Sequence, residues 1–341
     1  MLIFTGSSAS FEAFSIANYC VPCHAHCRYC LLSSCGKATG VNQKNGMAFA
    51  ERVIGELAEA RPDVKANYYF GYCMDTPDLP DFIRFCRKYH APGASFLQMN
   101  GFAFRDGQEL RKLMNTLREN GVELIDLTFF GTEEYHDRFA GRKGDFRFLM
   151  EMLNASKEAE LPVNISIPLL RENLDQMPAL HHLLSEKGIR RFSFFLPHSK
   201  GRGRSIQDQR ITRREFDALP EEIRNAFAHV RHMTEAEWLS SGEIADSEKR
   251  NLTLVLTPEN MEKLNAMPAV DILNELESMD DRYLREMLPA RELAARYGDP
   301  ANQQLFRLRD LLLKWQQQYI ADTGNTLYDM HDETHHFSVH L

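Results

Sequence analysis

The feature that most constrains this chain is a repeated change of hydrophobic period. Short apolar or β-rich runs fall at residues 13–20, 67–73, 94–99, 123–130, 162–169 and 191–196. Between them, at 48–60, 79–89, 107–120, 145–159 and 174–187, apolar residues recur at helical spacing. Strand and helix periods in alternation are the mark of βα units. Gly121 and Gly188 stand where helices should end before the next strand, and Asp106 and Asp145 are candidate N-caps. Strands joined through helices pair in parallel by right-handed crossovers. Six units are too few to close an eight-stranded barrel, so the expected fold is α/β, a partial (β/α)6 TIM-like barrel. Its chemistry should gather at the C-terminal ends of the strands.

After this series the pattern changes. Residues 198–214 are polar and rich in Gly, Lys and Arg, and read as a loop leaving the barrel. The rest is mostly helical, with one short strand candidate at 252–256 and a long amphipathic helix over 305–320 that carries Trp315. The tail, 325–341, alternates weakly, as a hairpin would. The expected organisation is an N-terminal extension at 1–12, a barrel at 13–214 and a mostly helical C-terminal cap at 215–341 with a terminal hairpin or tail. About a dozen residues precede the first strand, so no leader-binding domain is expected there.

With 43% apolar and 26% charged residues among 341, the chain can bury a sizeable core. Its net charge of −8 argues against a nucleic-acid backbone as main partner. No apolar run approaches the roughly 18 residues of a membrane span. Residues 1–9 lack a basic stretch followed by an apolar one, so no signal peptide is read, and the expected location is the cytoplasm.

Five of the seven cysteines (Cys20, Cys23, Cys27, Cys30, Cys35, Cys73 and Cys86) lie within sixteen residues. Without an export signal, such density reads as metal binding rather than disulfides. In Cys23-His-Ala-His-Cys27-Arg-Tyr-Cys30, three thiols follow the first strand. Three thiolates on a four-iron cubane leave one iron open to a chelating ligand. Cys20-Val-Pro-Cys23 together with Cys27 and Cys30 also permits a four-thiolate zinc site, although the gap between the pairs is short. His24 and His26 are read as shaping the loop or facing solvent.

The three-cysteine spacing, with aromatic Tyr29 before the last thiol, resembles the radical S-adenosylmethionine (radical SAM) superfamily. The resemblance implies a [4Fe–4S] cluster on Cys23, Cys27 and Cys30. It also implies S-adenosyl-L-methionine at the open iron, cleaved reductively to a 5′-deoxyadenosyl radical. Tyr29 would pack near the adenine. The likeness continues over roughly residues 12–215. Cys73, Met74 and Asp75 occupy the place of the family's Gly-Gly-Glu-Pro stretch, which binds the cofactor's amino group, and Gln98-Met-Asn100-Gly101 resembles its Thr-Asn-Gly turn. The stretch Leu127-Thr-Phe-Phe-Gly131, Tyr135-His-Asp137 and Gly141-Arg-Lys-Gly144-Asp-Phe146 resembles a subgroup with peptide-modifying members. By that match Thr128 contacts the cofactor. The family arginine for the cofactor carboxylate falls at Ala140, leaving Arg138 or Arg142 as substitutes. Ser166 either faces the cofactor or packs in the sheet. Leu196 lies on the strand that would wall the adenine. Gly201-Arg202-Gly203 resembles the family's Gly-Arg stretch. Lys200, Arg202 and Arg204 either hold an anion or form a solvated loop.

Many relatives carry further clusters on C-terminal cysteines, and this chain has no cysteine after Cys86. A second cluster on Cys20, Cys35, Cys73 and Cys86 is the remaining arrangement. His331, His335, His336 and His340 form either a metal site or an exposed tail. The implied function is a radical SAM enzyme that abstracts hydrogen from a peptide or small natural-product substrate, served by an electron donor such as flavodoxin or ferredoxin. The alternative is a non-catalytic cluster-bearing sensor or partner protein.

Overall fold

The computed structural model describes residues 12–34, 36–69, 73–89, 95–227, 231–246 and 251–324. Strands and helices alternate as the periods require: β1 Glu12–Asn18, α1 Gln43–Ala60, β2 Val64–Tyr69, α2 Leu79–Lys88, β3 Phe96–Gln98, α3 Gly107–Glu119, β4 Leu124–Thr128, α4 Glu133–Ala140, α5 Asp145–Glu158, β5 Val163–Pro168, α6 Met177–Glu186 and β6 Phe192–Phe195. Then come α7 Arg213–Asp217, α8 Glu221–Phe227, α9 Glu235–Ser241, β7 Asn251–Leu256, α10 Met261–Ala266, α11 Ala269–Glu286, α12 Ala290–Tyr297 and α13 Leu308–Thr323.

All paired strands are parallel and form two arcs, β2-β1-β7 and β3-β4-β5-β6. The fold is α/β, a partial TIM-like barrel with a mostly helical C-terminal region. The strand candidate at 252–256 is therefore more than an ornament of the cap. As β7 it extends the barrel wall beyond β1, with Phe14 opposite Leu252 and Ile16 opposite Leu254.

Side chains alternate across each strand. Phe14, Ile16, Leu97, Ile125, Leu127, Ile165, Ile167, Phe194, Leu252 and Leu254 turn outward and pack with helix residues such as Phe49, Val53, Met114, Met152 and Leu180 into the main core. A second core gathers Trp238, Tyr283, Phe306, Leu311 and Trp315 among the C-terminal helices.

Helix boundaries follow local chemistry. Asp106 caps α3 in a capping box with Glu109. Gly121 and Gly188 take positive φ after α3 and α6. Asp145 is not an N-cap: Gly144 holds that place, and Asp145 is the first, buried residue of α5. Its carboxylate meets His136 Nε2 at 3.1 Å and receives Arg142 Nη1 at 3.1 Å. Residues 198–214 are not a plain solvated loop. They include a 3₁₀ run, Gly201–Gln209, with Gly203 and Ile206 buried. Buried Arg210 donates to Pro197 O and Leu305 O, fastening this run to the C-terminal region. Cys35 and the tail 325–341, with its four histidines and expected hairpin, lie outside the described residues.

Candidate active site

The cysteine loop is held at both ends and in the middle. Asn18, at the end of β1, donates to Val41 O and Tyr68 Oη and accepts from Val41 N–H, so the chain leaves and returns at one point. Backbone bonds then stitch the loop over the C-terminal ends of the strands. His24 N–H donates to Gly101 O (2.9 Å), His26 N–H to Ala140 O (2.8 Å) and Arg28 N–H to Phe139 O (3.0 Å). Arg202 closes the far side, its Nε donating to Cys27 O at 2.9 Å and its Nη1 to Ser34 O at 2.6 Å. Two glycines permit this approach. A Cβ on Gly101 would sit 2.2 Å from Cys23 Sγ, and one on Gly201 2.5 Å from Cys30 O; both residues have positive φ.

Cys23, Cys27 and Cys30 share one electrostatic neighbourhood. Burial pushes the Cys27 thiol well above its usual range, and the thiols of Cys23 and Cys30 push it further. Burial likewise raises Cys30. Cys73 touches the Cys23 sulfur and lies 3.3 Å from Gly101 O; this contact lowers the Cys23 thiol and raises that of Cys73. The nearby charge of Arg202 favours thiolate at Cys27 and Cys30. Adjacent half-buried thiols resist ionisation together, and a bound metal centre would relieve the repulsion. Cys20 stands apart, close to Tyr68, with burial pushing its thiol up to about 12. Among the described residues no three Cys, His, Asp or Glu side chains surround a single-ion site.

Beside the thiols, Tyr29 stacks among Phe139, Phe130 and Phe195, with centroids 5.4–6.1 Å away. Burial pushes its phenol well above the usual range. Thr128, at the tip of β4, is buried with Oγ1 lacking a partner in hydrogen-bonding geometry, though the Tyr29 phenol lies beside it. Asn100 fixes that tip, accepting from Thr128 N–H and donating to Thr128 O.

The other expected residues divide. Ser166 faces the barrel interior and donates to Asp126 Oδ1 at 2.7 Å. Met74 packs against the core. Asp75 is committed elsewhere, accepting from Ala103 N–H and pairing with Arg105. Arg142 stays near Cys23, but its guanidinium donates to Phe102 O and lies over the Phe104 ring. Arg138 does not reach the site: its side chain is 63% exposed and pairs with Glu134, because that position of α4 faces solvent. Leu196 does not wall the adenine region; it turns outward into the core, and strand alternation brings Phe195 inward instead. His24 and His26 are exposed.

Sequence reasoning missed Asp126, whose carboxylate lies inside the barrel. It also missed what the motif residues do locally. Asp137 accepts from Gly144 and Phe146 N–H, and His136 Nδ1 accepts from Phe130 N–H, so this stretch locks α4, α5 and the tip of β4 together. At the N-terminal ends of β5 and β6, a cavity of about 470 Å³ is lined by Asn164, His181, Arg190, Arg191, Ser193 and Glu222.

A parallel partial barrel with three thiols pinned at the C-terminal ends of its strands defines the radical SAM class of domain. Residues 18–184 match the Radical SAM superfamily, so the chain carries a radical SAM domain. It is 27% identical over 138 residues to an Fe-coproporphyrin III synthase of Methanosarcina barkeri, covering 40% of this chain and 33% of the relative. It is 29% identical over 119 residues to an AdoMet-dependent heme synthase of Oleidesulfovibrio alaskensis, covering 35% and 30%. These matches span about a third of the length of either relative. The fold is similar to that of Streptococcus suis SuiB bound to S-adenosylmethionine, with a TM-score of 0.50, 12% identity, and coverage of 72% of this chain and 59% of that one. A radical SAM domain implies a [4Fe–4S] cluster and S-adenosyl-L-methionine. Among the described residues no helix is long and apolar enough to cross a membrane.

Proposed function

We propose that Cys23, Cys27 and Cys30 ligate three irons of a [4Fe–4S] cluster, and that the chain uses S-adenosyl-L-methionine at the fourth to abstract hydrogen from a peptide or small natural-product substrate. The observation that carries this reading is the cysteine loop itself, pinned over the strand ends with its thiols grouped and Thr128 Oγ1 orphaned beside it. When bound, the cluster supplies the electron that cleaves the sulfonium bond, and S-adenosylmethionine supplies the 5′-deoxyadenosyl radical.

The chain's own residues prepare the site. Arg202 holds the loop's carbonyls and lends positive charge to Cys27 and Cys30. Tyr29, Phe130, Phe139 and Phe195 form a water-poor wall suited to a flat ring such as adenine. Thr128 offers a hydroxyl to the cofactor. Arg142 braces Phe102 O after β3 and favours thiolate at Cys23. Cys73 lies against Cys23, while Met74 packs into the core and Asp75 is held by Arg105, so backbone atoms are what this stretch would offer the cofactor. The barrel is inferred to run over residues 13–214, with β7 contributed from the 215–341 region, and the setting is a cytoplasmic one with flavodoxin or ferredoxin as electron donor.

The test is anaerobic reconstitution with iron and sulfide, followed by S-adenosylmethionine and dithionite. Release of 5′-deoxyadenosine that requires all three cysteines is expected. A reconstituted cluster that never yields 5′-deoxyadenosine, with or without candidate substrates, would overturn the reading.

A further inference from the structure

A closed barrel fills its interior with branched apolar side chains. The interior of the β3–β6 arc is instead polar, and its polar groups converge on one carboxylate. Asp126 is 3% exposed on the inner face of β4. Asn164 Nδ2 donates to its Oδ1 at 2.6 Å, and Ser166 Oγ donates to the same oxygen at 2.7 Å. Ser193 Oγ supports the arrangement from β6, donating to Asn164 Oδ1 at 3.3 Å. Asn164 Nδ2 also reaches Ser166 Oγ at 3.4 Å, and the two bonds that end on Asp126 share one oxygen. Oδ2 receives none from the described residues. Gln98, its register neighbour on β3, has a buried Oε1 that also lacks a partner.

Both unsatisfied atoms are acceptors. A buried acceptor without a donor is costly, so a site that sets Gln98 Oε1 in register with a carboxylate oxygen that no described residue contacts suits a group that supplies hydrogens. Burial pushes the Asp126 carboxyl above its usual range even with two donors on it. A cation next to Oδ2 would offset that cost more strongly than a further neutral donor, because it adds an opposite charge to the hydrogen bond. The location also fits a substrate. Asp126 lies two residues, about 7 Å, below Thr128 on the same face, and close enough to Tyr29 for its charge to act on the phenol.

We propose that Asp126, oriented by Asn164, Ser166 and Ser193 and paired with Gln98 Oε1, binds a primary ammonium group of the substrate in the barrel interior. The substrate class is thereby an amine: a peptide presenting a lysine side chain or amino terminus, or an amine-bearing small molecule. This rests on the proposed radical SAM function, which makes the interior beneath Tyr29 a substrate space.

The experiment is a thermal-unfolding titration of the reconstituted protein with n-butylammonium chloride, against sodium butyrate and butanol at matched ionic strength. A saturable rise in midpoint of a few degrees is expected with the ammonium ion alone. Asp126→Asn should weaken its apparent affinity at least tenfold. Gln98→Leu, which leaves the carboxylate untouched, should weaken it severalfold and serves if the first variant does not fold. Equal or tighter binding of butyrate, a response unchanged in both variants, or no response to the ammonium ion would overturn the proposal. Because the titration needs no cofactor cleavage, a wild-type protein that binds butylammonium through Asp126 but never yields 5′-deoxyadenosine would break the function and spare the amine site.

Discussion

On β4 and β5, Ile125, Leu127, Ile165 and Ile167 face the helices and are fully buried among apolar neighbours, whereas Asp126, Thr128, Asn164 and Ser166 face the barrel interior and meet one another. The same two strands thus obey two rules. The outer face is packed for stability, with every side chain satisfied by contact. The inner face keeps a carboxylate with one oxygen that no described residue contacts and, beside the Tyr29 phenol, a buried hydroxyl with no partner in hydrogen-bonding geometry among the described residues, features that lower stability unless a ligand completes them. At the barrel's rim a third arrangement, the cysteine loop, depends on a ligand for its sense altogether.

The comparison breaks most visibly at the rim. Cys27→Ala should reduce 5′-deoxyadenosine release to assay background and remove the cluster's absorption near 400 nm, while leaving the fold in place by circular dichroism. A variant with full activity would remove the cysteine loop from the chemistry. The two faces are separated next. Ile167→Ala should cost about 2–5 kcal/mol of unfolding free energy, because it opens a cavity between sheet and helices. Ser166→Ala, one residue away and pointing inward, should cost about 1 kcal/mol, the net worth of one hydrogen bond. Equal losses in urea unfolding would mean that the inner face is as much structural core as the outer. A smaller effect tests the tip of β4. Thr128→Ala should weaken S-adenosylmethionine binding about three- to tenfold, near 1 kcal/mol, with iron content unchanged. Unaltered affinity by equilibrium dialysis would mean that the orphaned hydroxyl faces something other than the cofactor.

These differences also mark what could be read from the sequence. The barrel was legible because its outer face repeats: apolar residues at strand and helix periods, with Gly121 and Gly188 as stops, place the strands to within a few residues. The cysteine loop was legible because its spacing is rare. Face assignment was harder to read where apolar residues follow one another. In Phe194-Phe195-Leu196 no polar residue separates Phe195, which faces inward, from Leu196, which packs outward, and only Ser193 before them hints at the faces. Asp126 was invisible for a related reason: a lone carboxylate in a strand reads as solvent-facing until partners from two other strands surround it. The role of β7 depends on a pairing across more than two hundred residues, which local pattern cannot supply. Asp75 and Arg138 show the limit of motif transfer. Asp75 falls at a family position and Arg138 was a substitute for the arginine expected at Ala140, but Arg105 and Glu134 pair with them elsewhere.

The smallest effect probes the inner face alone. Burial raises the folded-state pKa of Asp126 above its unfolded value. A group shifted in that direction binds its proton more tightly in the folded protein, so its contribution to stability is greatest at low pH and is lost as pH rises. Below about pH 4, where the unfolded carboxyl is also protonated, no penalty exists. Above that value the wild-type protein should lose stability relative to Asp126→Asn as the pH climbs through the raised pKa, and the difference should then level off. The substitution also disturbs the bonds from Asn164 and Ser166, but that loss does not titrate. The informative quantity is therefore the slope of the stability difference with pH, measured by urea unfolding of both proteins between pH 4 and 8. A variant that gains on the wild type as pH rises supports a carboxylate held at a cost. A difference of opposite slope would mean that Asp126 is stabilised as an ion by the barrel itself, and that the inner face needs no ligand to complete it.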